Sequence, residues 1–269
     1  MRREGLTSEL RGLLWAFTAL ALGAFFLLFV LSEQTDDSFS WTIKPPLTAA
    51  FLGASYFGAF LLFVWTIWRD DWHATRAALL PVGLIAVLLL IATIIHENRF
   101  HDDLFGWFWR VVYLVTPLVI AAALVRQVRC AAGVTGPRQP LPPGLRVLLL
   151  FQGATMLGVG IYLFVAPESA DALWPWNLTP LTARAVGAFV IGFGVSALHA
   201  TLANDLPRFI GAALAYAGLA ALQLVAAARY TGDFTGGDAD TEIYVAFLVS
   251  MLFAGIYGWA QARRLGATG

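Results

Sequence analysis

Two arginines lie inside long apolar segments, where an ionised side chain requires a physical reason. Arg110 occurs in GWFWRVVYLV, shortly after the start of the fourth apolar segment, and Arg184 lies at a matching depth in the sixth. A charge at membrane depth is costly and normally faces the protein interior or a wet cavity. Both guanidinium groups are therefore candidate binding groups for an anionic headgroup or solute, with Glu242 as the expected partner of Arg110. The alternative is that both side chains extend to the membrane surface and bind nothing.

The loops near these arginines carry charges at corresponding positions. ENRFHDDLF and AARYTGDFT each contain an Arg, an aromatic residue and an Asp, while SEQTDDSFSW and PESADALWPW each place Glu and Asp at the same distances before a Trp. Carboxylates around the mouth of a cleft concentrate cations; solvated charges with ordinary turn chemistry are the alternative. The tryptophans are expected in an interfacial aromatic belt. The residues concerned are Arg99, Asp103, Arg229, Asp233, Glu33, Asp36, Trp41, Glu168, Asp171 and Trp176.

The sequence contains no convincing catalytic or metal-binding motif. HENRFH is one residue too long for the H-E-x-x-H zinc motif, and Cys130 is the only cysteine. The four histidines fall near the ends of apolar segments, which disfavours a haem inside the bundle. No Asp, Glu or Lys lies near the centre of an apolar segment, which disfavours a buried proton relay. We therefore predict no catalytic set, no metal and no cofactor.

The apolar segments determine the class of protein. Of the 269 residues, 59% are hydrophobic and 13% are charged, and the mean hydropathy is +0.73. A soluble domain carries roughly a quarter charged residues, and about 20 apolar residues span a bilayer as a helix. The sequence predicts an all-α integral membrane protein that contacts the lipid bilayer through eight spans: Leu13–Leu31, Leu47–Trp68, Ala77–Ile95, Trp107–Val125, Val147–Ala166, Ala183–Leu202, Phe209–Ala228 and Ile243–Ala260.

The second half of the chain resembles the first. WTIKPPLTAAFLGA, from Trp41, is similar to WNLTPLTARAVGA, from Trp176, and matches continue in nearly the same register on both sides. A sustained register indicates duplication. We predict two tandem four-helix repeats, residues 1–130 and 146–269, joined by a Pro/Gly/Arg-rich linker at 131–145 on the cytoplasmic side. Because each repeat has an even number of spans, the repeats should be parallel, related by an axis along the membrane normal.

The second span of each repeat carries small residues at helical spacing. Such small-xxx-small faces allow close approach of helices in lipid. Helix packing is the favoured interpretation, and a moving or substrate-lining interface is the alternative. The residues are Gly53, Ala54, Gly58, Gly187, Ala188 and Gly192.

The distribution of charge predicts the orientation. With a cytoplasmic N-terminus, most of the 17 Lys and Arg residues fall on the cytoplasmic side, as the positive-inside rule requires. Both termini are therefore expected in the cytoplasm, with the protein in the plasma (inner) membrane. Most of the acidic residues fall on the opposite face, which argues against nucleic acid as a partner.

Three classes of function fit these patterns. The first is a transporter or channel-like protein that recognises a small solute from the outer face between the repeats, which requires the outer charges to meet at one cavity. The second is a structural or accessory subunit, or a sensor, that packs against a membrane-protein partner or a second copy. The third is a lipid-modifying enzyme, which requires a lateral opening and two titratable groups at one point. We favour the first class and place an enzyme last, without excluding it. Architecture alone does not decide function.

Overall fold

The computed structural model describes residues 5–130 and 139–266, apart from the side chains of residues 73–74, 127–130, 170–172 and 265–266. It confirms an all-α fold with eight helices long and apolar enough to cross a bilayer. Residues 131–138 of the predicted linker lie outside the described residues. The helices are α1 Ser8–Phe25, which continues as a π-helix over Phe26–Val30, α2 Pro46–Arg69, α3 Trp72–Ile95, α4 Leu104–Cys130, α5 Pro143–Val165, α6 Pro180–Ala203, α7 Leu206–Arg229 and α8 Asp238–Gly266.

Several helices begin before the apolar stretch that predicted them. Helix α8 starts at Asp238, five residues before the predicted Ile243, because acidic residues in a first turn are favourable at the positive end of the helix dipole. Helices α2 and α6 start at Pro46 and Pro180. A proline costs nothing there, because the first N–H groups of a helix have no partner within it.

Helices α2 and α6 occupy the centre of the bundle. Helices α1–α4, here called the first half, pair as α1 with α2 and α3 with α4, and α5–α8, the second half, pair as α5 with α6 and α7 with α8. Helix α2 also packs on α7, and α3 packs on α6, which joins the halves. In the apolar 18-residue stretch of each helix, 61% of the residues of α2 and of α6 are buried, compared with 17% for α4 and 28% for α8. The central Ala54 and Ala188 are fully buried, whereas α4 and α8 present most of their surface to lipid.

We call the end of the bundle where α2 and α6 finish the inner end, and the opposite end the outer end. At the inner end both central helices are followed by a left-handed residue, Asp70 (φ 50°) and Asn204 (φ 45°). Asp and Asn adopt this conformation more readily than other residues with side chains. Asp70 Oδ1 accepts a hydrogen bond from the Leu6 amide at 2.8 Å, and Asn204 Oδ1 accepts one from the Leu141 amide at 3.1 Å. Each ties the end of a central helix to the segment before the first helix of its half.

Asp70→Asn is expected to lower the free energy of unfolding by less than about 1 kcal/mol, because it loses only the exposed ion pair with Arg11. Asp70→Ala should lower the free energy of unfolding by about 1–2 kcal/mol. Asparagine keeps the acceptor for Leu6, while alanine removes it and is strained in the left-handed conformation. The Leu6 hydrogen bond, together with Arg11, also holds the pKa of Asp70 below its ordinary value. The ionised carboxylate therefore stabilises the folded protein more than the protonated form does. This stabilisation is lost only as acid lowers the pH through that depressed pKa. Denaturant titration at neutral pH measures the difference, and equal losses in both variants would contradict it.

Small residues allow close helix contacts within each half. A Cβ atom at Gly53 would lie 2.6 Å from the backbone nitrogen of Phe29, in the π-helical end of α1. One at Gly187 would lie 2.8 Å from the carbonyl oxygen of Gly160, in α5. Neither site has room for a side chain unless a backbone moves.

Two further glycines lie where the halves meet. A Cβ atom at Gly58 of α2 would lie 3.1 Å from the carbonyl oxygen of Ala215 in α7. One at Gly192 of α6 would overlap the side chain of Ile85 in α3. The glycines of α2 and α6 therefore face an adjacent helix of the same half at one point and, five residues later, a helix of the other half.

Trp41 and Trp176 are buried at the outer end, and the prediction that they form an interfacial belt was wrong. Trp41 is 2% exposed and Trp176 is completely buried. The loops fold inward, so each indole lies in its own aromatic cluster, in the edge-to-face geometry that aromatic pairs prefer. The cluster partners are Phe39, Phe100 and Trp109 for Trp41, and Trp174, Phe234 and Tyr244 for Trp176.

Candidate functional site

Arg110 is held by the loop that precedes its own helix. Its Nη1 donates to the His101 carbonyl oxygen at 3.3 Å, and its Nη2 lies 3.4 Å from Asp102 Oδ1. The guanidinium carbon lies 5.2 Å from the centre of the Trp107 ring, and the side chain is 17% exposed. The expected pairing with Glu242 is not formed; Glu242 is exposed on α8, in a cleft between α7 and α8.

Arg184 links the two halves through a histidine. Its Nη1 forms a hydrogen bond with Nε2 of His96, the residue that follows α3. Because a guanidinium only donates, Nε2 is the acceptor and the imidazole is neutral. Burial, together with the charges of Arg184 and Arg99, holds the pKa of His96 below its ordinary value, although the charge of Glu168 acts in the opposite direction.

Lowering the pH from about 7.5 to about 5 should weaken this link and lower the melting temperature. The folded pKa of His96 is depressed, so the unfolded chain binds more protons in this window, and stability falls as the pH drops below the ordinary histidine pKa of about 6.5. The variant His96→Gln still offers Arg184 an acceptor but does not titrate. Melting curves at both pH values should show a smaller loss for this variant, and equal losses would contradict the assignment.

The loop after α7 reaches the first half at the outer end. Arg229 Nη1 donates to the Phe29 carbonyl oxygen at 3.3 Å, and Nη2 lies 3.8 Å from Glu33 Oε1. Asp233 Oδ2 accepts a hydrogen bond from the Leu47 amide at 3.0 Å. Leu47 is in the first turn of α2, so Asp233 satisfies one of the helix's free N–H groups from the other half.

The remaining outer charges do not complete one ring. Asp103 Oδ1 accepts from the Gly106 amide at 2.9 Å, in the first turn of α4. The predicted outer-mouth residues that make side-chain contacts therefore fall into separate sets, around Arg110, Arg184 and Arg229, and the exposed Arg99 and Glu242 belong to none of them. The shared effect of these contacts is to hold loops and helix starts in place. Arg99, Asp36 and Glu168 are exposed, and the side chain of Asp171 lies outside the described residues.

Cavities occur in three other parts of the described bundle. One of about 290 Å³ lies among α1–α4, and one of about 190 Å³ lies among α5–α8. Both have mostly apolar walls. A third, of about 270 Å³, lies between the halves at the inner end and is lined by α2, α3, α6 and α7. We call the third the inner cavity; its polar lining residues are Thr66, Arg76, Ser196, His199, Asp205 and Arg208.

Asp205 is the chemically unusual residue of the inner cavity. It immediately precedes α7, its side chain is 5% exposed, and its Oδ2 accepts from Arg208 Nε at 2.9 Å. Its second oxygen, Oδ1, is buried and has no hydrogen-bond partner among the described residues. A buried acceptor without a partner is uncommon and costly. Asp205, which lines the inner cavity, therefore has one acceptor atom that the described residues leave unused.

The inner cavity also carries an excess of positive charge. Arg76 and Arg208 both line it, together with His199. With the carboxylate of Asp205 counted against them, one positive charge is in excess. The arrangement is suited to binding an anion that also donates a hydrogen bond.

Sequence reasoning missed this cavity. In the sequence, Arg76 and Arg208 contribute only to the bias of positive charge that predicts the orientation in the membrane. No role is predicted for His199 or Asp205. The available signal was position, since all four lie close to the turns that connect the second and third spans of each half.

Comparisons of the chain with protein-family models, with curated proteins and with solved structures gave no match. The geometry of the cavities is therefore the basis for a functional assignment.

Proposed function

We propose that this multi-pass membrane protein is a transporter that binds a small anion in the inner cavity, between its two halves. The observation that carries the proposal is the buried, unpartnered Asp205 Oδ1 in a cavity that also contains Arg76 and Arg208. A volume of about 270 Å³ suits a solute of a few heavy atoms. This differs from the expected recognition at the outer face, because the outer charges are engaged in separate sets of local contacts.

The proposed solute combines a negative charge with a hydrogen-bond donor. Arg76 and Arg208 attract the charge, and a ligand N–H or O–H group would give Asp205 Oδ1 the partner it lacks. Dihydrogen phosphate has this chemistry. Nitrate has the charge but no donor, and it is therefore the matched negative probe.

The two halves are proposed to be tandem, parallel repeats. Contacts at matching positions support this: Leu6 and Leu141 donate to Asp70 and Asn204, and Arg11 contacts Asp70 as Arg146 contacts the Thr201 carbonyl oxygen. The pairing of helices α2 with α7 and α3 with α6 is also what a twofold relation of the halves requires. The match of Leu141 to Leu6 moves the proposed start of the second repeat before residue 146.

A twofold arrangement would place the inner cavity near the axis that relates the halves. The cavity takes two helices from each half, so a small rotation of one half against the other would change access to it, as in transporters built from repeats. The bias of Lys and Arg supports a cytoplasmic inner end. We therefore propose that the cavity opens to the cytoplasm.

Isothermal titration of the protein in lipid nanodiscs tests binding. Phosphate should bind, and nitrate should bind far more weakly. Arg76→Gln should weaken the binding by about tenfold, the effect of one charge-assisted hydrogen bond. Arg126→Gln is the matched control, because Arg126 is an exposed arginine that pairs with Glu9 at 3.0 Å on another surface.

Transport is tested by measuring uptake into proteoliposomes, with the solute that was found to bind. Uptake that Arg76→Gln abolishes and Arg126→Gln preserves supports a transporter. Binding without uptake favours the alternative of a sensor or accessory subunit. Failure of every anion to bind contradicts the proposed site and leaves the accessory subunit and the lipid-modifying enzyme as alternatives.

A further inference from the structure

The second half contains its own cavity of about 190 Å³, separate from the inner cavity. Its walls come from α5–α8 and the segment between α5 and α6, with Phe51 contributed by α2, and are mostly aliphatic, aromatic or thioether side chains. Leu173 and Ile243 also line it and are 54% and 68% exposed, so its outer rim reaches the surface of the bundle. We call it the apolar cavity.

One polar group in the wall of the apolar cavity has no partner. Trp174 is 8% exposed, and its indole N–H is buried without an acceptor among the described residues. Two other polar side chains of the wall are engaged: Tyr244 donates to Gln223 Oε1 at 3.1 Å, and Gln223 Nε2 donates to the Phe51 carbonyl oxygen at 2.9 Å. Thr155 and Asp240 also line the cavity. The wall therefore combines mostly apolar surface with a buried donor, the Trp174 indole N–H, that has no partner among the described residues.

We propose that the apolar cavity binds a ring-sized apolar molecule that carries a carbonyl oxygen, which accepts a hydrogen bond from the Trp174 indole N–H. An apolar protein cavity of about 150 Å³ holds a benzene ring, so the volume here accommodates a six-membered ring with a small carbonyl substituent. The ring stacks among Phe51, Phe193 and Tyr244, and the oxygen removes the penalty of the unpaired N–H group. The ligand is either a free aromatic carbonyl compound or the head of a longer lipid whose tail passes Ile243.

The first half provides an internal comparison. Its cavity of about 290 Å³ is lined by Phe39, the residue that occupies the position corresponding to Trp174 in the sequence alignment of the halves. Trp41 also has a buried indole N–H without a partner among the described residues. However, Trp41 lines neither the apolar cavity nor the cavity of the first half. Trp41→Phe therefore removes an equivalent group at a site where no ligand is proposed.

Thermal unfolding in nanodiscs, with acetophenone as the probe, tests the proposal. Isopropylbenzene is the control because it has a similar shape but no oxygen. Acetophenone should bind more tightly than isopropylbenzene. Trp174→Phe should lower the affinity for acetophenone about fivefold, the effect of one neutral hydrogen bond, and should leave the affinity for isopropylbenzene unchanged. Trp41→Phe should change neither. Val159→Phe, which places a ring in the cavity, should abolish binding of both.

The source of the ligand is distinguished with 4-decylacetophenone. Tighter binding than acetophenone supports a lipid with a carbonyl-bearing head, and weaker binding supports a free small molecule. Three results would overturn the proposal: equal affinity for acetophenone and isopropylbenzene, an equal loss of affinity for both compounds in Trp174→Phe, or binding that persists in Val159→Phe.

Discussion

Replacement of Trp176 by alanine is expected to lower the free energy of unfolding by about 3–5 kcal/mol, the range for a large buried aromatic side chain. Trp176 is completely buried among Trp174, Phe234 and Tyr244. Its indole N–H also donates to Thr48 Oγ1 at 2.8 Å, in the first turn of α2. The substitution therefore removes both the centre of an aromatic cluster and a buried hydrogen bond between the halves.

Two further variants separate these contributions. Trp176→Phe keeps most of the packing and loses the hydrogen bond, so it should cost about 1 kcal/mol. Trp15→Ala should change stability little, because Trp15 is 56% exposed on the surface of α1. Unfolding in a denaturing detergent, followed by circular dichroism, measures all three. A Trp176→Ala loss as small as that of Trp15→Ala would show that the cluster does not hold the outer end together.

Replacement of Gly53 or Gly187 by alanine is expected to lower the free energy of unfolding by about 1–3 kcal/mol each, the usual cost of overpacking. A Cβ atom would lie 2.6 Å from the Phe29 nitrogen in one case and 2.8 Å from the Gly160 oxygen in the other. Both obstacles are backbone atoms, so no rotamer change relieves the overlap. The added methyl group must push α1 away from α2, or α5 away from α6.

Gly23→Ala and Gly158→Ala are the matched controls. They lie in α1 and α5, the helices that Gly53 and Gly187 approach, and a Cβ atom at either meets nothing within 4 Å. Alanine should be neutral there, or stabilising by up to about 1 kcal/mol, because it favours helix more than glycine does. Melting temperatures of the four variants give the comparison. If all four substitutions had the same effect, helix propensity rather than close packing would explain the result.

Prediction from sequence worked where the property belongs to a single segment. The eight spans follow from the length and hydropathy of each segment measured against the thickness of a bilayer. The starts of α2 and α6 follow from Pro46 and Pro180, whose effect on a helix is local. The extra turns at the start of α8 were missed because Asp238 and Asp240 stabilise a first turn outside the apolar region.

Prediction failed where two chemically reasonable environments compete for one side chain. A tryptophan near the end of a span is equally suited to a lipid headgroup region and to a folded loop, and the inward fold of the loops buries Trp41 and Trp176. Arg110 was paired with Glu242 because both lie at the outer end. Asp102 is the actual partner because the loop before α4 brings it within reach.

The sequence by itself determined an all-α membrane protein with eight spans, because hydropathy and segment length act on each helix separately. Only the tertiary structure decided which side chains meet. Asp205 and Arg208, at the start of α7, are three residues apart and pair locally, but nothing in the spacing along the chain brings Arg76 of α3 to the same cavity. They line one cavity because the packing of α2 on α7 and of α3 on α6 sets how each helix is placed and rotated.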